Sequence, residues 1–479
     1  MPTPPPDAVN PKGAGGTRFP WRVLGFLAGV YLLSVSGRLP VMDQAVMFTQ
    51  TRSLIAGHLS ITGAGWDHMT PVGVGGQHYS QYGVLMSVLW IPSTLIMRAV
   101  AAVVHGVPLK MLEEFAASFV NVAAMLAILA YVAESWRRSG VSAARIRGGL
   151  LAIGLGTLLW AYAKMPFSDP WMALGLFAGY CHWRWRGLDS RQVFFSGFWL
   201  GVALLSRKQA QLMVPVLGAA MAWEGWRTAE GRRDIIRLGL TLVPAALIQG
   251  LYNYGRFGNP LLEVYPYVEG GAPLGVAGLA RNFLGILIDP FNGFAPYNVF
   301  VITLAVACWR WWRADPLGAA LPWLLLGASS ALMCRYYFWS GGLCFGSRYL
   351  LFVIPFAALG LPHLPASLGP WRWVLGLGLA VGVLVQLAGV MIDPLAVSMR
   401  RQFVSGSTTS VPRLYAGEVA RVLGVSEPVL TDDGRASAYA VHPAFQVPDV
   451  WWAHVIYELR HRGATASKGA MPSPAKGQP

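Results

Sequence analysis

The chain has 479 residues, of which 54% are hydrophobic and only 12% charged. A soluble globular protein carries about 25% charged residues, and the mean hydropathy here is +0.47. These values exclude a soluble enzyme, a secreted disulfide scaffold and a nucleic-acid module as the main reading, although 37 Lys+Arg against 22 Asp+Glu leave a net charge of +15. Apolar runs long enough to cross a hydrocarbon core of about 30 Å recur from Trp21 to about Val390. The fold class is an all-α polytopic membrane protein.

Residues 1–20 are rich in Pro and Gly and read as a disordered cytoplasmic tail. No small-residue cleavage site follows the first apolar run, so that run is an anchor and not a removed signal peptide. Positive residues collect on the cytoplasmic side in short loops. Five segments are basic: Lys12 to Arg22, Arg137 to Arg147, Arg184 to Arg191, Arg227 to Arg237 and Arg310 to Arg313. Placing all five inside gives helices near 21–37, 116–135, 148–164, 171–185, 192–206, 209–225, 237–253, 296–310, 317–334, 349–362 and 372–390. That makes about 11 transmembrane helices within residues 21–390.

The apolar stretch Val84 to Val104 is long enough to span, yet counting it as a crossing inverts every later loop. An interfacial or re-entrant segment, broken near Pro92 and with Arg98 at the headgroup level, fits better. Residues 38–114 then form one large first outer loop. Beyond the last helix, 391–462 reads as a small outer C-terminal region, with a helix over Tyr415 to Leu423 and turns with a short strand over Glu427 to Tyr439. Residues 463–479 read as a disordered tail. No internal repeat is visible, which disfavours a transporter built from inverted halves.

With this topology the polar residues gather on the outer side, where Asp43, Asp67, His68, His78, Lys164, Asp169, Arg207, Lys208, Arg256, Glu263, Arg335 and Arg348 all fall. Asp43 lies in LPVMDQAVMFTQTRSLIAG, where MFTQTRSLIAG reads as an amphipathic helix on the membrane. Asp43 is either solvated punctuation or a carboxylate held at a cavity mouth, able to take a proton from a hydroxyl. GGQHYSQYG (75–83) is bounded by glycines; His78, Tyr79 and Tyr82 either anchor the interface or stack on a sugar ring. WDHMTP (66–71) is a weak metal pattern. In KMPFSDP (164–170), Lys164 and Asp169 lie side by side, as a local ion pair or as a second carboxylate facing Asp43.

LLSRKQ (204–209) puts Arg207 and Lys208 at an outer helix end, against the inside preference for cations. Lipid headgroups or a bound phosphate would each explain this, since a guanidinium grips phosphate oxygens bidentately. YNYGRFGNPLLEVYPY (252–267) carries Arg256 and Tyr265, and LGILIDPFNGFAPYNVF (284–300) has the same mix of Gly, Pro and aromatics. Both suit irregular backbone beside a cavity. CRYYFWSGGLCFGSRYLLFVIPF (334–356) places Arg335 and Arg348 on either side of a short outer loop. An unpaired cation opening an apolar helix is costly, so Arg348 is a second candidate phosphate ligand. Cys181, Cys308, Cys334 and Cys344 have no metal-type spacing; Cys334 and Cys344 flank one loop, and a disulfide between them is one reading.

In this order the motifs resemble the bacterial polytopic glycosyltransferases of the GT-C class, which include protein O-mannosyltransferases and lipid A aminoarabinose transferases. They are an Asp after helix 1, GxxYSxYG, FSDP, LLSR ending a helix, YNxxRFGNP, DPFNGFAPY and FGSRYLLFxxPF. The resemblance covers about residues 21–362. It implies a GT-C fold with interfacial helices in the first outer loop. It also implies an enzyme that moves a sugar, with inversion, from a polyprenyl-phosphate carrier to an acceptor hydroxyl or amine. The acceptor is an unknown glycan, lipid or protein. Asp43 and Asp169 map to the catalytic acids. Arg207 stands where the family has a donor-phosphate lysine, with Lys208, Arg348 and Lys164 as further phosphate ligands. His78, Tyr79, Tyr82, Tyr265, Arg256 and Arg335 are the substrate-binding candidates.

The family's frequent Asp-Glu pair is Asp43-Gln44 here, and a divalent metal stays open as a cofactor. The location implied is the bacterial inner membrane, multi-pass, with the site facing the periplasm or cell exterior. Beside the resemblance, no GxGxxG helix start exists to bind a nucleotide sugar, so a lipid-linked sugar is the expected donor. The competing readings are a lipid-linked glycan flippase or transporter, and a non-catalytic lipid-glycan binder.

Overall fold

A computed structural model of the protein describes residues 18–61, 70–262, 275–290, 292–307, 309–336, 339–342, 344–365, 367, 369–393, 397 and 447–457. Asp67, His68, Glu263, Tyr265, residues 1–17 and 463–479 of the two tails, and the helix and strand expected over 415–439 lie outside the described residues. The chain divides into two compact units, residues 1–389 and 390–479. Within the second, the Asp449 N–H donates to the Met391 carbonyl at 2.8 Å and its carboxylate pairs with His454 at 3.1 Å.

Among the described residues the first unit is built of helices, and extended pairing is limited to two isolated bridges, Ser60 with Tyr79 and Val72 with His78. In chain order the helices are α1 (Trp21–Ser34), α2 (Met42–Ile55), α3 (Val84–Leu89), α4 (Ile91–Ala101), α5 (Leu109–Ala117) and α6 (Val120–Arg138). Next come α7 (Ala143–Gly156), α8 (Leu158–Lys164), α9 (Asp169–Arg184), α10 (Arg191–Ser206), α11 (Ala210–Gly225) and α12 (Ala229–Phe257). The last are α13 (Val276–Ile288), α14 (Phe294–Tyr297), α15 (Val299–Ala307), α16 (Trp311–Ala314), α17 (Pro316–Met333), α18 (Val353–Ala358) and α19 (Trp371–Met391).

Among the described residues, five stretches are long and apolar enough to cross a membrane: Val84–Ala101, Leu109–Arg138, Ala229–Phe257, Pro316–Met333 and Trp371–Met391. A sixth arises if the bent pair α7–α8 counts as one span. This is the pattern of a helical membrane protein. The core is α9 packed on α6 and α10, with α10 against α12. Small residues let these helices close up: a Cβ on Gly175 would stand 2.6 Å from the Ala203 nitrogen.

Several elements differ from the sequence expectation. The stretch from Val84 does not break at Pro92. Trp90 keeps helical dihedrals (φ −81, ψ −14), and Pro92, in the first turn of α4, is where a missing N–H is tolerated. The second expected helix begins earlier, because α5 runs on into α6 as one 30-residue apolar stretch. The third is bent by 60° between α7 and α8. There Thr157 turns extended, its hydroxyl accepting from Leu159 N, while the Asn298 side chain caps Leu158 N at 3.2 Å. The eighth divides into α14 and α15, and the tenth is a 3-10 turn, Arg348–Leu350, followed by α18.

Helix α2 is not a surface amphipath. Gln44, Gln50, Thr51 and Ser53 are buried together with Val46, Met47 and Phe48, and it packs on α3 and α4. Cys334 and Cys344 are separate buried thiols. Their sulfurs bond to backbone carbonyls, Cys334 to Ala331 and Cys344 to Gly346.

Candidate functional site

Three helix ends and one loop deliver the site. Asp43 is in the first turn of α2, whose entry is fixed by Gln44: its side-chain oxygen accepts from the Val41 N–H at 3.2 Å. The Gln of the Asp43-Gln44 pair is therefore a helix cap. Asp169 opens α9 after the Lys164–Ser168 turn, which Asn121 of α6 holds by donating to the carbonyls of Met165 and Phe167 at 2.7 and 2.8 Å. Arg207 is the extended residue (φ −159, ψ 142) at which α10 gives way to α11. Next to it, Gln209 donates to the Ser329 hydroxyl and to the Tyr349 carbonyl, tying this turn to α17 and to the Arg348–Leu350 turn.

Arg348 arrives on the loop from Gly341 to Ser347. The loop is shaped by left-handed glycines; Gly346 (φ +65) lies so near Tyr297 that a Cβ would meet its ring at 2.8 Å.

The four charges meet in two ion pairs. Arg348 Nη2 lies 2.8 Å from Asp43 Oδ2, and Arg207 Nη1 lies 2.5 Å from Asp169 Oδ2. The Tyr349 ring sits under both guanidiniums, 4.9 Å from that of Arg207 and 5.4 Å from that of Arg348. The Phe167 ring is 4.6 Å from the Arg348 guanidinium. The Tyr82 hydroxyl hydrogen-bonds the Asp43 carboxylate and accepts from Gln81 Nε2 at 3.0 Å. Tyr82 can stand there because Gly83 lets the chain touch the end of α10, where a Cβ would come within 2.5 Å of the Leu205 carbonyl.

Asp169 is fully buried, whereas the Asp43 side chain keeps 16% of its surface exposed. Burial pushes the Asp43 carboxyl up, but the Arg348 charge and hydrogen bond, the Tyr82 hydroxyl and the field of Arg207 outweigh it. The net result lies below the usual carboxylate range. Asp169 Oδ1 and Arg348 Nε and Nη1 are buried without a hydrogen-bond partner. A cavity of about 270 Å³ adjoins the cluster through Arg207 and Tyr349, and Lys208, Gln209, Leu212 and Met333 also line it. The site thus offers two fixed cations, one accessible carboxylate and a half-apolar recess.

The other expected site residues lie apart from this cluster or serve it indirectly. The carboxylate of Asp169 goes to Arg207, where the sequence suggested Lys164; Lys164 is buried at the end of α8. His78 Nδ1 faces the Thr70 hydroxyl at 3.0 Å, and the buried Tyr79 donates to the Val74 carbonyl at 3.1 Å and meets Phe257 edge to face. Tyr79 is buried, whereas His78 is half-buried. Arg256 is a buried clamp: it donates to the Ser80 carbonyl, bonds Asn253 Oδ1 at 2.6 Å and lies 3.7 Å from the Tyr252 ring. Arg335 is exposed at the end of α17, next to cavity-lining Tyr336.

Sequence reasoning missed Tyr349, Gln209, Gln81 and Phe167. Tyr349 could have been found as the aromatic neighbour of an intramembrane-type arginine in FGSRYLL.

Among the described residues no three of His, Cys, Asp and Glu come together as a metal site. Each of the two site carboxylates is paired with an arginine. Compared with known protein families, with characterised proteins and with solved structures, the chain finds no match.

Proposed function

We propose that the protein is a membrane glycosyltransferase of the GT-C type, taking a sugar from a polyprenyl-phosphate carrier. The observation that supports this best is Arg348: a buried guanidinium with two donor nitrogens unbonded, next to a carboxylate and over the Tyr349 ring, which itself lines a cavity with Arg207 and Lys208. Phosphate is the ligand that two fixed guanidiniums in a partly dry site bind most strongly. Leu212, Leu332 and Met333 give the recess an apolar wall for the first isoprene units.

The donor phosphate takes over Arg348 and Arg207. Removing Arg348 from Asp43 weakens the interaction that keeps its carboxyl acidic, so donor binding makes Asp43 a better base. The acceptor O–H or N–H gives its proton to Asp43 and attacks the anomeric carbon from the face opposite the phosphate. The carbon–oxygen bond to phosphate breaks, its electron pair stays on the phosphate oxygen, and polyprenyl phosphate leaves with inversion. Asp169 holds Arg207 in place. No step runs through a metal.

About 11 crossings, with a bacterial inner-membrane location and an outward-facing site, complete the reading. Helices α9, α10 and α11 have 16 residues each, about 24 Å, and need their flanking turns to cross. The stretch α3–α4 is read as interfacial, because its main packing partners are α2, α5 and the Ser206 end of α10.

The test is transfer from a panel of radiolabelled polyprenyl-phosphate sugars by the purified protein in lipid. Asp43→Asn should lower turnover by about 10²-fold or more while leaving the melting curve cooperative. Wild-type turnover in that variant would remove Asp43 as base, and no turnover with any donor, despite donor binding, would favour a binding protein.

A further inference from the structure

At the end of the bundle opposite Asp43 there is a second, larger cavity, about 400 Å³, which no step above uses. Helices α6 and α9 both start at the site and end here, so it lies about 22 Å from Asp169, fifteen residues of helix away. Its walls are Ser135, Arg138 and Ser139 of α6 and the turn after it, Tyr180, Cys181 and Arg184 of α9, then Trp185, Trp311, Asp315 and His363.

The charges around it are arranged unequally. Glu134 is shared by Arg137 and Arg138, at 2.7 and 2.6 Å, and Glu224 by Arg184 and Arg186, at 3.1 and 3.9 Å. Asp315, also 3.6 Å from Arg184, uses Oδ1 to cap Gly318 N at the start of α17. Four arginines therefore face three carboxylates, one of which is also a helix cap.

Arg138 gives its Nε to Glu134 and lays its guanidinium 4.3 Å from the Trp185 ring, leaving the planar fork oriented and 35% exposed. On another wall His363 stacks on Trp311, 5.9 Å away at 13°. A preoriented guanidinium and two tryptophans with an apolar body and a polar edge suit a phosphate carried on an amphiphile.

We infer that this cavity binds a phosphate ester at the face opposite the first site, the phosphate on Arg138 and Arg184 and the ester's carbon portion against Trp185 and Trp311. A phospholipid headgroup and a small soluble phosphate ester share this chemistry. The proposal is independent of the glycosyltransferase reading, since it uses none of its residues.

Native mass spectrometry of the full-length protein in detergent, titrated with dioleoylphosphatidylglycerol or dioleoylphosphatidylcholine, tests it. The anionic lipid should be retained at least fivefold more tightly, and Arg138→Ala should weaken it about fivefold or more. Glu134 keeps Arg137 in that variant. Ser139→Glu, which puts a carboxylate on the exposed rim without touching an ion pair, should do the same. Arg372→Ala, a basic residue that does not line the cavity, should change nothing. Displacement of the lipid by millimolar glycerol 3-phosphate assigns a soluble ester, and failure to displace it assigns the lipid headgroup. Equal retention of the two lipids without glycerol 3-phosphate binding, or equal weakening by Arg138→Ala and Arg372→Ala, overturns the proposal.

Discussion

Asp43 is held 2.8 Å from Arg348, and that contact sets how the residue responds to pH. Its folded carboxyl lies below the usual range, so the pair's contribution is complete above the unfolded value of about 3.9 and is lost as pH falls through the folded value. Melting curves in detergent should show wild type more stable than Asp43→Asn by about 1–3 kcal/mol near neutrality. The two should converge below about pH 4; a gap that widens on acidification would contradict the pairing. Tyr82→Phe removes one donor to the carboxylate, so it should raise the folded Asp43 pKa, shrink the contribution and complete its loss at a higher pH. Arg348→Gln leaves Asp43 with an unpaired charge and removes the phosphate contact, and should weaken binding of a polyprenyl phosphate tenfold or more.

At the scale of elements, close approach decides more than propensity does. Gly83→Ala would drive a Cβ into the Leu205 and Ser206 carbonyls, parting the Tyr82 segment from α10. It should cost about 1–3 kcal/mol, read as a lowered melting temperature. Gly148→Ala, in open space on α7, should be neutral or stabilise by up to about 1 kcal/mol.

The sequence showed where most helices run, because apolar length and arginine placement are local quantities. It did not show the bend between α7 and α8, since the Asn298 side chain that caps Leu158 comes from far along the chain. Nor did it show α2 buried: MFTQTRSL looks amphipathic until Thr51 and Ser87 are seen to bond the carbonyls of Ser87 and Met47. Arg52 and Arg98 both grip the buried Glu113 at 2.9 Å. That ties α2 to α4 and α5, a link no local pattern reveals.

For the whole molecule, the arrangement places Ser139 and Arg335 at opposite ends of the bundle. Single cysteines at these positions should be labelled by an impermeant maleimide from opposite sides of the membrane. Cys181, Cys334 and Cys344 are buried and should add little background once Cys308 is replaced by alanine. Labelling of both from one side would overturn the proposed orientation.

The sequence by itself determined the helical membrane character, because a low charge content and long apolar runs leave a chain no other way to satisfy its backbone. It also picked out Asp43, Asp169, Arg207 and Arg348, because charges in such a chain are costly enough to stand out. Only the tertiary structure decided which charge meets which, and that Tyr349 lies beneath both arginines while Tyr79 and Arg256 turn inward. Pairing depends on helix ends brought together by packing, and that geometry is not written in the spacing of any one segment.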